Sequence, residues 1–326
     1  MDILNQLNLE SFAPPSLITH PLAQTIIPYY LPIKSPPPSS ERHIVDLPDG
    51  DKLALSISKP QQWMAGSSVV ILIHGLAGCE NSSYLVRMIL KLYNEGYLCV
   101  RLNLRSCGPG QGIAQWPYHS GRSEDTREVL NWINKKYPHS PITQVGFSLS
   151  ANITLKMLGE CDELINPALD SAIAISPPLD LGMSAKKMTK DYFKVFNYFF
   201  LQQLREHAKK IENNFPSTPK TIWPKRMDLI DFDHLYTAPR SGFAGAYDYY
   251  QKSSSLQFIE SIKRKTLILV SQDDPVVDTS GLSSLIMPEN VQSIETRTGG
   301  HVGFLERGRF WADELIKRWI IKLDTP

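Results

Sequence analysis

The stretch TQVGFSLSAN, residues 143–152, decides the fold of this chain of 326 residues. Residues 143–146 form a short run that predicts a buried strand, and a helix is expected from Ser150 onward. Ser148 therefore stands on a sharp turn between a strand and a helix, where small neighbours let the chain reverse. We expect this turn to hold the Ser148 hydroxyl above the end of a sheet. An ordinary strand-to-helix turn with a capping serine would show the same pattern.

Strands and helices alternate on both sides of this turn. A hairpin is predicted from residues 43–47 and 53–58 around the turn Pro48-Asp49-Gly50. Unbroken apolar runs, which are typical of strands buried on both faces, predict further strands at 69–73, 98–102, 171–175 and 266–270. Helices are expected at 84–94 and 124–136, the second with Ser123 as its N-cap. The alternation predicts an α/β fold with a doubly wound, mostly parallel sheet.

Two segments depart from the alternation within what we expect to be one domain, residues 1–326. Residues 1–40 are rich in proline, which fixes φ and removes a donor, so an extended arm is predicted. Because apolar residues recur between the prolines, we favour an arm packed along the body over a flexible linker. Residues 180–245 show helical segments and no strand, which predicts a helical cap insertion over the sheet's carboxyl edge. Its aromatic residues are Tyr192, Phe193, Phe196, Tyr198, Phe199 and Phe200.

The amino-acid composition limits which partners and which cellular compartment are expected for the protein. The chain has 34 Lys and Arg against 33 Asp and Glu, so no basic excess favours nucleic acid. Its four cysteines match no CxxC or zinc pattern, which favours free thiols in a reducing compartment. The first residues lack a basic segment before an apolar core, and no apolar run approaches ~20 residues. We therefore expect a cytoplasmic protein, with peripheral membrane contact left open and the oligomeric state undetermined.

A histidine near the end of the chain is the candidate base for the serine on this turn. A serine hydroxyl is a weak nucleophile unless a base accepts its proton. His301 lies in the glycine-rich stretch GGHVGF, residues 299–304, which can form a loop that brings the imidazole to the sheet edge. We predict Ser148 as nucleophile and His301 as base, against the alternative of a histidine on a solvated turn. His119 is the rival base, but it precedes the serine, which fits the order Ser, acid, His poorly.

The acid is expected in the loop after the strand at 266–270. A carboxylate there would hold the imidazole in the required tautomer and stabilise its protonated form. Two neighbours compete, and we predict Asp274, which directly precedes the proline, over Asp273, which could cap the turn instead.

An acyl-transfer site also needs donors for the developing oxyanion. The backbone N–H of Leu149, which follows the nucleophile, should be one donor, and the N–H of Leu76 the other. His74 is interpreted as a loop organiser, because no acid or histidine stands at ligand spacing from it. The stretch 103–110 contains glycines but no phosphate-loop lysine, and we interpret it as a structural turn. No metal and no cofactor are expected.

At this point the residues resemble a known family. The chain is similar to the YheT-like branch of the α/β hydrolases, a group that includes the eukaryotic ABHD1/ABHD3-type lipid hydrolases. The resemblance runs nearly end to end, through residues 20–25 (HPLAQT), 74–78 (HGLAG), 118–121 (YHSG), 146–149 (GFSL), 242–243 with 248–250, 273–275 (DDP) and 299–304 (GGHVGF). It implies hydrolysis of carboxylic esters or acyl lipids, with acyl transfer in some members. It also places the triad on Ser148, Asp274 and His301.

The residues and the resemblance together predict a serine hydrolase that cleaves acyl esters through an acyl-enzyme intermediate. Its partner would be a small ester, with lipid as one class, and the aromatic insertion would line an apolar acyl site unless those side chains are only cap core. An acyltransferase using the same triad and a non-catalytic binding protein on this scaffold are the alternatives. Ser150 replaces the usual glycine, and we expect its hydroxyl to bond to local backbone and to be tolerated.

Overall fold

The computed structural model describes residues 3–190 and 194–324. Its main sheet has eight strands in the order β1-β2-β4-β3-β5-β6-β7-β8. β1–β2 and β2–β4 are antiparallel, and the remaining neighbours are parallel. The predicted α/β fold with a mostly parallel sheet is therefore confirmed. The strands are β1 (Glu41–Asp46), β2 (Lys52–Ser58), β3 (Val69–Ile73), β4 (Leu98–Asn103), β5 (Ile142–Phe147), β6 (Leu169–Ile175), β7 (Lys265–Ser271) and β8 (Val291–Thr296).

Helices cover both faces of this sheet. They are α1 (Ile3–Gln6), α2 (Pro21–Tyr30), α3 (Ser83–Asn94), α4 (Ser123–Lys136), α5 (Leu149–Glu160), α6 (Leu181–Thr189), α7 (Lys194–Asn214), α8 (Leu229–Phe232), α9 (Ala238–Arg240), α10 (Ala246–Ser253) and α11 (Trp311–Asp324). Apolar side chains of α3 and α11 pack on one face, and those of α4 and α5 on the other. Every residue of β3 is therefore buried, which explains its unbroken apolar run.

The chain between β6 and β7 contains α6, α7, α8, α9 and α10, with a π-helical turn at Asp233–Thr237. Within its described residues this segment holds no strand. Phe196 and Leu201 of α7 pack with Phe232 and Tyr236 in a separate apolar cluster. Tyr192 and Phe193, which belong to the aromatic run of the sequence, lie outside the described residues.

The predicted extended arm is wrong for residues 3–6 and 21–30, which form helices α1 and α2. Pro21 occupies the first turn of α2, where backbone N–H groups have no acceptor within the helix, so proline loses no hydrogen bond there. The His20 side chain accepts a hydrogen bond from the Leu22 N–H. The helix is held by tertiary contacts of Gln24, whose side chain is fully buried. Its amide donates to the Ile18 and Leu305 carbonyls, and its oxygen accepts from the Leu305 N–H.

The prediction that Ser123 is the N-cap of α4 is also wrong. Ser123 is the first residue of the helix, and its hydroxyl donates to Glu160 instead. Glu160 in turn pairs with Arg127 and Lys156, so the serine belongs to a cluster that joins α4 to α5. The Ser123 hydroxyl therefore bonds to Glu160 of α5 and does not cap the first turn of α4.

The turn after β4 is a structural one. Arg105 is buried, and its guanidinium pairs with Asp49, Asp51 and Asp125. These ion pairs tie the turn of the first hairpin to α4.

Candidate active site

Ser148 lies between β5 and α5 with φ 54° and ψ −119°. This left-handed backbone is strained for a residue other than glycine and persists only where the surroundings enforce it. A Cβ atom at Gly146 would lie 2.5 Å from the Ser150 carbonyl oxygen, so only glycine permits the tight turn into the helix. The Ser148 N–H donates to the Ile175 carbonyl at 2.8 Å, which anchors the turn to β6.

Ser150, the departure from the usual motif, is fully buried. Its hydroxyl donates to the carbonyl of His74, in the loop after β3. The expectation of a bond to local backbone is therefore wrong, because this distant carbonyl lies directly opposite the first turn of α5. The hydroxyl joins the nucleophile turn to that loop.

Three side chains predicted from the sequence meet at the sheet edge. His301 Nε2 lies 2.8 Å from Ser148 Oγ, and His301 Nδ1 lies 2.8 Å from Asp274 Oδ2. Asp274 is fully buried, and its Oδ1 accepts hydrogen bonds from the Val276 and Val277 N–H groups. Those bonds fix the carboxylate and leave Oδ2 facing the imidazole.

Asp273, the competing acid, contacts the backbone of the histidine loop rather than the imidazole of His301. Its Oδ1 accepts hydrogen bonds from the Ser271 hydroxyl and, at 3.0 Å, from the Gly300 N–H. The two neighbouring acids thus hold different parts of the same loop.

Helix α2 supports the histidine loop from outside, a contact that the sequence analysis missed. The His301 N–H donates to Thr25 Oγ1 at 2.9 Å. A Cβ at Gly300 would lie 2.7 Å from the Pro21 carbonyl oxygen. A Cβ at Gly303 would overlap the carbonyl oxygen of Gln24. These glycines let the helix pack directly on the loop, and they were the available sequence signal for it.

The loop after β3 approaches Ser148 closely. A Cβ at Gly75 would lie 2.9 Å from Ser148 Cβ. The Gly75 N–H donates to the Tyr84 hydroxyl at 2.9 Å, and the Ala77 N–H donates to the Tyr118 hydroxyl at 3.0 Å. Leu76 lies between these two anchored residues and lines a cavity beside Ser148.

His74 organises the base of this loop. Its Nε2 accepts a hydrogen bond from the Leu104 N–H at 3.1 Å, so its Nδ1 carries the proton and donates to the Gly75 carbonyl at 2.8 Å. Burial lowers the pKa of His74 to about 4, which keeps the ring neutral near pH 7.

Leu149, the other expected donor, is the first residue of α5. The N–H groups of the first helical turn have no acceptor within the helix. Leu149 and Leu76 line the same cavity as Ser148.

His119, the rival base, does not form the hydrogen bond to Ser148. Its Nδ1 accepts from the Gly121 N–H at 3.1 Å, and its ring packs against Phe243 and Tyr249. Burial holds its pKa well below the ordinary value.

Two cavities meet at Ser148 and share Leu76, Phe200 and Val276. The large cavity, of about 460 Å³, is lined by α2, α3, α7 and the loop after β3, and its polar side chains include Arg87. The small cavity, of about 100 Å³, extends under α6 and the π-helical turn. A bound molecule with its reacting atom at Ser148 can therefore extend in two directions.

Two further observations concern residues 3–190 and 194–324. In these ranges no three His, Cys, Asp or Glu side chains are grouped so that they could hold a metal ion. No helix in them is both long and apolar enough to cross a membrane. The four cysteines are free thiols, as predicted.

Comparison with known proteins identifies the family to which the chain belongs. Residues 68–308 match the sequence profile described as "alpha/beta hydrolase fold". The chain is 29% identical to YheT of Escherichia coli over 284 residues, which are 85% of this chain and 83% of that protein. It is 30% identical to a monoacylglycerol lipase of Saccharomyces cerevisiae over 287 residues, 84% of this chain but 61% of the yeast protein.

Among solved structures, the Pyrococcus furiosus esterase Pf2001 aligns with a TM-score of 0.58 at 16% identity. The alignment covers 90% of this chain and 98% of that one, and it supports the fold. The resemblance seen in the sequence is confirmed: the chain belongs to the α/β hydrolase fold family, as a YheT/ABHD-type, carboxylesterase/lipase-like hydrolase.

Proposed function

We propose that the protein is a serine hydrolase that cleaves carboxylic esters of acyl groups, with Ser148, His301 and Asp274 as its catalytic triad. The observation that carries the proposal is the hydrogen-bonded chain from Ser148 Oγ through His301 to Asp274 Oδ2, with both distances at 2.8 Å. Nucleophile, base and orienting acid within hydrogen-bond reach are what acyl transfer through a serine requires. The esterase and lipase names of similar proteins support the same reaction class.

In the first half-reaction, His301 Nε2 takes the Ser148 hydroxyl proton as Oγ attacks the ester carbonyl carbon. The carbonyl oxygen gains the negative charge, and the N–H groups of Leu76 and Leu149 would donate to it. As the C–O bond breaks, His301 gives its proton to the leaving alcohol, and the acyl group remains on Ser148. Asp274 keeps the imidazole proton on Nδ1 and stabilises the charged ring.

In the second half-reaction, water gives a proton to His301 and attacks the acyl carbon. The tetrahedral adduct collapses, the acid leaves, and the proton returns to Ser148 Oγ. No redox step or external electron donor is involved.

The large cavity is proposed as the acyl site. Ile26 and Tyr29 of α2 face Val195, Phe196 and Phe199 of α7 across it. We propose that residues 180–245 act as a cap over the site, within a single domain 1–326, and that the arm 1–40 supplies the opposite wall. The larger part of the lining of this cleft is apolar, which favours a medium or long acyl chain.

The triad assignment predicts the effect of removing either reacting side chain. Ser148→Ala and His301→Ala should each lower kcat on a p-nitrophenyl ester by at least about 10³, because the members act as a unit. Thermal unfolding of each variant should stay cooperative. More than a tenth of wild-type turnover in either variant would contradict the assignment.

The two neighbouring acids give a matched comparison. Asp274→Asn should lower kcat by roughly 10³ to 10⁴, because an amide no longer holds the required tautomer of His301. Asp273→Asn keeps a side-chain oxygen for the Gly300 N–H and should lower kcat by less than about tenfold. Steady-state kinetics on one short ester compare them, and the reverse ranking would exchange their roles.

The acyl site predicts a dependence on chain length. Phe199 lines the large cavity, whereas its neighbour Tyr198 is largely exposed and does not line it. Phe199→Ala should lower kcat/KM on a decanoate ester by about tenfold and leave an acetate ester nearly unchanged, because buried methylenes contribute about 0.8 kcal/mol each. Tyr198→Ala is the control and should change neither ester. Equal losses of Phe199→Ala on both esters would indicate damage to the cap rather than loss of acyl contacts.

A further inference from the structure

The phenol ring of Tyr118 contacts two parts of the molecule that meet near Ser148. Its hydroxyl accepts a hydrogen bond from the Ala77 N–H at 3.0 Å, in the loop after β3. Its ring stacks on the imidazole of His207 of α7, with ring centroids 5.1 Å apart and planes 24° apart. Tyr118 is buried, and with Leu76 it lines the small cavity beside Ser148. One side chain therefore connects the proposed cap to the loop that carries Leu76.

The hydrogen bond to Tyr118 is formed by a residue whose backbone is strained. Ala77 has φ 58°, a left-handed conformation that persists in a residue other than glycine only where its surroundings enforce it. The loop is packed tightly at the next residue, because a Cβ at Gly78 would lie 2.8 Å from Ser82 Oγ. Loss of the acceptor for the Ala77 N–H would remove a bond that holds this conformation, directly beside Leu76.

Tyr84 holds the other end of the same loop, but it connects the loop to a different part of the fold. Its hydroxyl accepts from the Gly75 N–H at 2.9 Å. Its ring contacts that of Phe147, the last residue of β5, with centroids 4.8 Å apart. Tyr84 belongs to α3, so this anchor joins the loop to the body of the protein. Of the two tyrosine anchors, Tyr118 is the one that stacks on α7.

His207 meets Tyr118 as a neutral ring. Burial lowers the pKa of His207 to about 4, so the imidazole is uncharged near pH 7. Its Nε2 is buried without a hydrogen-bond partner among the described residues, which costs free energy. The imidazole therefore acts here through the contact of its ring with that of Tyr118. The stack fixes the phenol ring from the side of α7, and the Ala77 N–H fixes its hydroxyl.

We propose that Tyr118 is a positioning residue that couples α7 to the oxyanion donor, by holding the loop on which the Leu76 N–H lies. The inference rests on the function proposed above, in which that N–H donates to the developing oxyanion. Tyr118 acts through Ala77 and need not touch the ester. Because a displacement of about 1 Å at a catalytic group can cost on the order of 10² in rate, release of the loop would slow bond making without weakening ester binding.

The first test removes the acceptor and keeps the ring. Tyr118→Phe should lower kcat by about 10- to 100-fold on p-nitrophenyl acetate and by the same factor on p-nitrophenyl decanoate, with KM within about twofold of wild type. Tyr236→Phe is the matched control, because Tyr236 is also buried and its hydroxyl has no hydrogen-bond partner among the described residues. This control should keep kcat within about twofold of wild type. A wild-type kcat in Tyr118→Phe would overturn the proposal.

A transition-state analogue separates positioning from damage to the site. The carbonyl carbon of a trifluoromethyl ketone bonds to Ser148 Oγ, His301 takes the serine proton, and the carbonyl oxygen becomes an oxyanion, as in the proposed ester reaction. The inhibition constant of the ketone should rise in Tyr118→Phe by the same factor by which kcat/KM falls. The corresponding alcohol cannot add to the serine, and its inhibition constant should stay near that of wild type. Equal losses for ketone and alcohol would overturn the proposal.

A double-mutant cycle tests the contribution of α7. His207→Ala removes the stacked ring and should lower kcat by about tenfold, whereas His207→Phe keeps a ring there and should retain most of the activity. The effect of His207→Ala should largely disappear in the Tyr118→Phe background, because both changes act through the same hydrogen bond. Additive effects would overturn the coupling and leave the serine hydrolase standing. Failure of wild type on every ester would overturn the function on which the proposal rests.

Discussion

The left-handed backbone of Ser148 is the constraint on which the rest of the site depends. With φ at 54°, the serine is strained by an amount on the order of 1–3 kcal/mol, which neighbouring contacts must offset. Those contacts come from three directions: β6 accepts the Ser148 N–H, Gly146 lets the helix fold back on β5, and Gly75 lets the loop after β3 approach. Because α5 begins immediately after the strained residue, Leu149 stands in its first turn, where backbone N–H groups have no acceptor within the helix.

The loop after β3 and the turn at Ser148 are held together as one unit. Ser150 bonds the His74 carbonyl, and the hydroxyls of Tyr84 and Tyr118 fix the residues on both sides of Leu76. Burial raises the pKa of both tyrosines, to about 12 for Tyr84 and well above the ordinary value for Tyr118. Tyr118 also stacks on His207 of α7, so the same loop is joined to the segment between β6 and β7. In the proposed mechanism, a Leu76 N–H on a loop held in this way needs little rearrangement when charge develops on a substrate oxygen.

Much of the fold could be predicted because its signals are local. The apolar runs of β3 and β7 and the strand-to-helix turn at Ser148 identify the sheet, and the residue order along the chain leads to Asp274 and His301. Tertiary contacts decided the features that local reasoning got wrong. Helix α2 forms in a proline-rich segment because Gln24 is buried against Leu305, and β8 has the mixed polar pattern of an edge strand, which no periodicity rule singled out. Thr25 is a polar residue whose partner in the histidine loop, His301, lies far away in sequence.

Covalent labelling of the native protein with a fluorophosphonate is the most direct measurement of the central claim, that Ser148 is a nucleophile activated by His301. Peptide mass spectrometry should find the adduct on Ser148, and His301→Ala should slow its formation by orders of magnitude, because the serine then keeps its proton. An unmodified Ser148, or labelling of Ser148 at the wild-type rate in His301→Ala, would contradict the account.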